Sequence, residues 1–362
     1  MNMMHKFLRR SLTVLGATLA IVPLLAQAAY KKEYSLSVVP GPTSGWALTA
    51  FYFADMVRER TAGRVNIKVF PAAQLMSGKQ TSEFMLLRNG SGGFAMASTI
   101  NWSPQIKELN LPALPFMIGS QPDRYKAMDA IEAGKSGKML IDAVEKKGVK
   151  FIGWAENGFR ELTTSKGPIN SPADMKGLKI RVVGSPIFID TFNALGANPV
   201  NMNWSEATTG FQQGLVDGQE NPTNGININL RIWDYHKFHT DWHYIIDPLL
   251  LCANPAVWKS LSAEDQQILL ECAKKSEAYG KALSRMGMDD GSALKLLTEL
   301  GKVPEFTDPY KAMEDNGMTV TKFTPEQLEA FYKATESVRA TWEKNLGSEL
   351  VKAAQDDMQA VR

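Results

Sequence analysis

Two arginines, Arg160 and Arg181, lie within the stretch Asn157 to Val183, which reads NGFRELTTSKGPINSPADMKGLKIRVV. Their settings suit the capture of a small anion. Arg181 sits in Leu178-Lys179-Ile180-Arg181-Val182, where period-two alternation places the three apolar residues on one face of a strand and Arg181 on the other. Gly184-Ser185-Pro186 then turns the chain into a helix. Ser185 is expected as its N-cap, Pro186 as its first residue, Phe188, Ile189, Phe192 and Leu195 as its apolar stripe, and Gly196 as its stop. A guanidinium is a planar fork that matches the two oxygens of a carboxylate, and unpaired N–H groups at a helix start favour the same charge. On residue types alone, either arginine serves equally well to tie a loop to a neighbouring aspartate.

Other chemistry has weaker support. The sequence holds no P-loop, GxGxxG, GxSxG or HExxH pattern and no CxxC pair. His236, His239 and His243 form the one histidine cluster, and the last two have helical i, i+4 spacing suited to zinc. Trp242 and Tyr244-Ile245-Ile246 beside them instead suggest a strand entering a core, which separates the imidazoles. A secreted metal-dependent hydrolase built on these histidines is the competing reading. Cys272 shares an apolar stripe with Ile268 and Leu269, so it reads as a buried thiol, and Cys252 and Cys272 are the only cysteines.

The long motifs narrow the choice. GFRELTTSKGPINSPADMKGLKIRV, the later GLVDGQENP (Gly214 to Pro222) and the earlier ERTAGRVNIKVFPAAQLMSGKQTSEFMLLRNG together resemble the solute receptors of tripartite ATP-independent periplasmic (TRAP) transporters, of the DctP type. The resemblance runs in the same order over nearly all of the chain after its first residues. It implies an α/β, two-domain periplasmic binding protein of the Venus-flytrap kind, with a long helix spanning both domains. By that likeness Arg181 matches the arginine that pairs with a ligand carboxylate, Arg160 a second, assisting arginine, and Asn221 an asparagine that hydrogen-bonds the ligand. Ser98 and Trp204 match pocket-lining positions that vary among members. Sialic-acid-binding relatives carry an acidic residue and a phenylalanine at those two places, so a smaller or partly aromatic acid is favoured here. Trp46 and Trp102, beside loops, and Phe188, on the helix after Arg181, complete the expected ligand-binding set. No cofactor, metal or catalytic activity is implied. The implied partners are a small organic acid and the large and small TRAP membrane subunits, which take up the ligand with sodium; a monomer is expected. A receptor reporting to a signalling partner is the remaining alternative.

Composition fits an exported receptor. The 362 residues carry 40 Lys and Arg against 38 Asp and Glu, a net charge of +2. His5, Lys6, Arg9 and Arg10 precede an apolar run from Leu12 to Leu25 and the small-residue box Ala26-Gln27-Ala28, the pattern of a cleaved signal peptide over residues 1–28. Cleavage there removes three positive charges and no acids, leaving −1. So balanced a chain has no electrostatic footprint for nucleic acid.

The elements needed to hold these residues alternate β and α from Tyr34 onward. Strands are expected at Tyr34–Val39, Val65–Phe70, Gly93–Ser98, Gly148–Trp154, Leu178–Val182, Leu215–Asn221 and Ile245–Cys252, and helices from Trp46, Ser82, Pro186 and Trp204. Ser262-Ala263-Glu264-Asp265 opens a long helix that meets Gly287 and Gly291, where a kink is expected. Thr324-Pro325-Glu326-Gln327 opens another, and the C-terminal helices are expected to pack on the second domain. The pattern argues for a largely parallel sheet, with ligand at the strand ends. The expected division is 29–157 with 247–286 as domain I, and 158–246 with 287–362 as domain II.

Overall fold

The computed structural model describes residues 30–361. The expected signal peptide therefore lies outside the described residues.

Nine strands form one mixed sheet. They are β1 (Tyr34–Ser37), β2 (Ile67–Phe70), β3 (Phe94–Ser98), β4 (Lys150–Thr164), β5 (Lys179–Val182), β6 (Asn198–Asn201), β7 (Gly218–Pro222), β8 (Phe238–Ala253) and β9 (Thr319–Lys322). The order is β2-β1-β3-β8-β4-β7-β5-β6, with β9 added to β8. β1 pairs parallel with β2 and β3, and β5 pairs parallel with β6 and β7. Between these two parallel groups run β4 and β8, antiparallel to each other, to β3 and to β7. The sheet is thus less uniformly parallel than the alternation of elements suggests. The reason is that β4 and β8 extend well beyond their expected lengths, each serving both groups.

The β4–β8 ladder runs from Lys150 opposite Ala253 to Thr164 opposite Phe238 and is interrupted by three register shifts. One lies between Glu156 and Gly158, opposite Pro248 and Asp247. Gly158 has φ +113°, a backbone that only glycine adopts without strain, and it sits midway along both strands. Beyond Arg160, opposite Ile245, the ladder resumes at Leu162 opposite Thr240, so Asp241 to Tyr244 bulge outward against Glu161 alone. The Glu161 carboxylate accepts from the Trp242 and His243 backbone N–H groups at 2.7 and 2.9 Å, replacing the missing ladder bonds. This explains a wholly buried acid on a central strand.

The long helix is Ala263–Arg285, capped where the Ser262 hydroxyl accepts from Asp265 N at 3.1 Å. It lies along the helix Gly45–Arg60 and against β4. It does not kink onward through Gly287 and Gly291. Met286 leaves helical geometry, Gly287 takes φ +73°, and a separate helix starts at Ser292. The C-terminal helices also divide their packing differently from the expectation. Glu336–Leu346 packs on Pro186–Ala194, but Ser348–Gln359 packs on Arg124–Ala133 and Lys135–Lys146. Asp357 fixes this contact by accepting from the N–H and hydroxyl of Ser136 at 2.8 and 2.5 Å. Both cysteines are free and buried.

Candidate functional site

Where β3, β4, β5, β7 and β8 bring their mid-sheet ends together, a small cavity opens. Its polar lining is Arg160 and Asn157 from β4, Arg181 from β5, Asn221 from β7, Ser98 from β3 and Asp247 from β8, with Gln80 and Asn101 at one side. Trp46, Trp204, Val183 and Ile226 supply its apolar wall.

Arg181 is 1% exposed. Its Nε donates to the Met202 carbonyl at 3.0 Å, and its guanidinium lies over the Trp204 ring at 5.4 Å, but its Nη2 is buried with no hydrogen-bond partner. Burial pulls its pKa down to about 10; Glu220 opposes that fall and nearby Arg160 adds to it. At neutral pH it is still a cation, held in the cavity with donor capacity unfilled. Such a group invites an anion.

Arg160 is different. Its Nε contacts Glu220 Oε2, and its Nη2 donates to Glu220 Oε1 at 2.8 Å and to the Glu220 carbonyl at 2.7 Å. Its Nη1 reaches Asp247 at 3.3 Å. Burial lowers its pKa, but the Glu220 carboxylate outweighs that and raises it overall. The Tyr244 hydroxyl donates to the same Glu220 at 2.6 Å, so the Arg160 that lines the cavity is paired to a carboxylate outside the lining. Arg160 therefore offers much less charge to a ligand than a free arginine would.

The remaining expected residues separate clearly. Ser98 lines the cavity and donates to Asp247 at 2.6 Å, while Trp46 lines it with its indole N–H on the Met96 carbonyl at 2.7 Å. Asn221 also lines it; its amide donates to the Gln219 side chain and its carbonyl accepts from Asn227. Trp204 closes one wall. Trp102 does not line the cavity. It is fully buried with its ring edge-on to Phe84, because the strand–helix junction after Ser98 turns it into the core. Phe188 is also a core residue, packing under the Arg160 guanidinium at 5.8 Å, and it shapes the site only from behind. Ser185 holds the N-cap position, but its hydroxyl makes no cap bond; it meets Ser103 Oγ at 2.9 Å and Asn110 Oδ1 at 3.2 Å.

Several cavity residues escaped sequence reasoning, Asp247, Asn157, Gln80 and Asn101 among them. Asp247 interrupts an apolar run, Ile245-Ile246-Asp247-Pro248-Leu249, and an acid so placed is a sign of a buried partner. Asn157 donates its amide to Asp247 at 2.8 Å, and its Oδ1 is buried without a partner. Gln80 bridges two segments, donating to Asn101 Oδ1 at 2.9 Å and accepting from Trp204 N at 2.7 Å. It carried no sequence signal, since a glutamine in a short polar loop is ordinary.

The three histidines do not converge. His236 meets Thr163 Oγ1 at 2.8 Å, and His239 is buried with neither ring nitrogen bonded. His243 Nδ1 contacts Glu161 at 2.6 Å and its Nε2 lies 3.4 Å from Asp241. Among the described residues, the one group spaced to hold a metal ion is Glu161, Asp241 and His243, which contains a single histidine. Among the described residues the three imidazoles form no metal-spaced group, and a hydrolase centre on all three is not supported.

Comparison with known proteins places this cavity in context. Residues 36–302 match the family model described as bacterial extracellular solute-binding protein, family 7, the DctP family. The chain belongs to this family. A TRAP periplasmic solute-binding protein of Ralstonia eutropha H16 was solved with bound (S)-2-acetolactate. It is 42% identical, with a TM-score of 0.83 over 92% of this chain and 100% of that one. The 2,3-diketo-L-gulonate-binding periplasmic protein of Escherichia coli is 34% identical over 67% of this chain and 71% of its own length. A TRAP solute-binding protein of Sulfurospirillum deleyianum, solved with succinate, is 28% identical, with a TM-score of 0.75 over 89% of this chain and 98% of that one. The fold is thus that of the two-domain TRAP periplasmic binding proteins.

Proposed function

We propose that this protein is an extracytoplasmic receptor that binds a small organic acid through Arg181 and hands it to TRAP membrane subunits. The observation that carries the reading is the buried guanidinium of Arg181, a residue that lines the cavity and whose Nη2 has no hydrogen-bond partner. A desolvated guanidinium with unfilled donor capacity is poised for a carboxylate, and the pair formed there is charge-assisted. The ligands seen in relatives, acetolactate and succinate, are both carboxylates.

In this reading the protein works as a monomer without catalysing a reaction, and residues 1–28 are removed on export to the periplasm. The division into 29–157 with 247–286 and 158–246 with 287–362 places the change of unit at the Gly158–Asp247 register shift. Closure then bends the shared strands there, and a ligand drives it through contacts that differ between the open and closed states. In this division Gln80 and Trp204 belong to different units, and Gln80 joins them by accepting from Trp204 N.

A thermal-shift screen over carboxylates and sulfonates tests the assignment, since a ligand far above its Kd raises the melting temperature. The expected result is stabilisation by a small carboxylate, abolished in Arg181→Ala. Stabilisation that survives this substitution would remove Arg181 from the site.

A further inference from the structure

One cluster of titratable groups stands apart from the ligand cavity, whose lining includes none of Glu161, His239, Asp241 and His243. Glu161, Asp241 and His243 each offer one ligand atom, and these atoms lie within 4.8 Å of one another. Glu161 Oε2 accepts from the backbone N–H groups of Trp242 and His243, and Oε1 meets His243 Nδ1 at 2.6 Å. The other ring nitrogen, Nε2, lies 3.4 Å from Asp241 Oδ1. A carboxylate that holds one nitrogen of an imidazole is the common support of a histidine whose other nitrogen binds a metal. Zinc bonds of about 2.0–2.1 Å at tetrahedral angles set neighbouring ligand atoms about 3.3 Å apart. Nε2 and Oδ1 therefore span one edge of such a site. Tyr310 steadies the Asp241 carboxylate in turn, donating its hydroxyl to Oδ1 at 2.8 Å. A second observation is independent of these contacts. His239 is fully buried with neither ring nitrogen bonded, a costly state for a polar side chain. It lies in the stretch of β8 that pairs regularly with β9 from Phe238 to Asp241, so His239 and Asp241 share a face of the strand. Both meet Tyr310, since the His239 ring centroid lies 6.1 Å from that of Tyr310.

We propose that His239, Asp241 and His243 bind a zinc ion, with Glu161 orienting His243 and the His239 ring turning onto the ion as the third protein ligand. Two imidazoles and a carboxylate are donors that suit zinc, with water left to fill a fourth position. Glu161 stays outside the coordination shell, because its oxygens are already taken up by two backbone N–H groups and by Nδ1. The carboxylates of Glu161 and Asp241 balance the two positive charges of the ion, so the buried group as a whole is neutral. The ion then fastens the bulged part of β8 to its regular stretch and, through Glu161, to β4. Stripped of metal by a chelator, His243 is the imidazolium that Glu161 and Asp241 share. The role is structural, and it does not depend on how Arg181 is read.

Calorimetry with zinc chloride tests this on protein free of any histidine tag, treated with a chelator and then dialysed. The expected result is one zinc ion bound per chain and a melting temperature raised by zinc. His239→Phe keeps a buried ring and removes no hydrogen bond, so it should fold as the wild type does. Its affinity for zinc should fall at least about tenfold. Cobalt(II) in place of zinc should give the wild type the intense visible absorption of a four-coordinate ion, and His239→Phe the weak absorption of a six-coordinate one. A wild type that binds no stoichiometric zinc overturns the proposal, as does a smaller fall in affinity in His239→Phe. If that variant fails to fold, the wild-type cobalt spectrum decides alone, and weak six-coordinate absorption removes the site.

Discussion

Replacing Arg181 by alanine separates a ligand-binding arginine from a structural one, because the two roles predict opposite effects on the empty protein. The guanidinium is buried, and burial pulls its pKa from the ordinary arginine value down to about 10. That fall corresponds to a penalty of about 3 kcal/mol on the charged form, at ~1.4 kcal/mol for each pH unit. Alanine relieves it. Against the relief stand the lost bond to the Met202 carbonyl, about 1 kcal/mol, and the lost contact with the Trp204 ring, about another 1 kcal/mol. The space left behind adds a further loss, so the balance lies within about 2 kcal/mol of zero. Binding should respond very differently. Truncating one partner of a buried charged pair costs about 2–5 kcal/mol, a loss of about thirtyfold to several thousandfold in affinity. Arg181→Lys should recover only part of it, since an ammonium cannot fork onto two oxygens in one plane. Calorimetry with a carboxylate that stabilises the wild type, and melting of the ligand-free variants, give both numbers on the same preparations. Affinity within threefold of wild type, together with a ligand-free protein destabilised by about 3 kcal/mol or more, would refute the reasoning.

Other expectations concern titration and closure. Glu83 is fully buried, accepts from Ser37 at 2.7 Å, and burial raises its pKa to about 8. The folded state therefore holds a proton that the unfolded chain releases near pH 4.5, and stability from this group is lost as pH rises from about 4.5 to 8. Glu83→Gln should melt with the wild type at pH 4.5 and well above it at pH 8; equal melting at both would contradict the burial argument. His243 is pushed down by burial but raised overall by Glu161 and Asp241, so its contribution is complete below the ordinary histidine pKa and is lost as pH rises through the raised value. His243→Asn, which tolerates the local φ of +48°, should lose about 3–5 kcal/mol at pH 6 and clearly less at pH 9, measured by urea unfolding. Gln80→Met removes the bridge to Trp204 N and Asn101 while keeping length, and should speed ligand release about fivefold to thirtyfold in stopped flow, as for one or two lost hydrogen bonds of ~1 kcal/mol each. An unchanged release rate would mean that Gln80 does not hold the closed form.

Much of this arrangement is legible in the sequence because it rests on local rules. The strand at Lys179–Val182, the helix from Pro186 and the glycine stop at Gly196 follow from alternation, Pro at the first turn and the positive φ of that glycine. Arg181 is placed by the same rules. What stayed hidden depends on pairing across distance. Nothing local to Arg160 reveals that Glu220 of β7 neutralises it, because that pairing needs the antiparallel register of β4 and β7. Trp102 looks like a loop aromatic until the strand before it is known to end in a helical turn aimed at Phe84. The grouping of His243 with Glu161 and Asp241 depends on a bulge, and a bulge of four residues has no signature in a period-two pattern.

The shared β4–β8 ladder has a consequence for how the chain acquires its fold. β3 near the start of the chain finds its second neighbour in β8, so Phe94 pairs with Ala253, and the sheet of the first half stays incomplete until the segment Phe238–Ala253 is available. The same segment completes the second half beside β4 and carries β9. Neither half is therefore an autonomous folding unit built from contiguous sequence. Such non-local pairing makes folding slow and places the closing step late. Because one ladder holds both halves, heating should melt them together in a single cooperative transition, and a chain cut off before Phe238 should remain unfolded rather than yield a stable half.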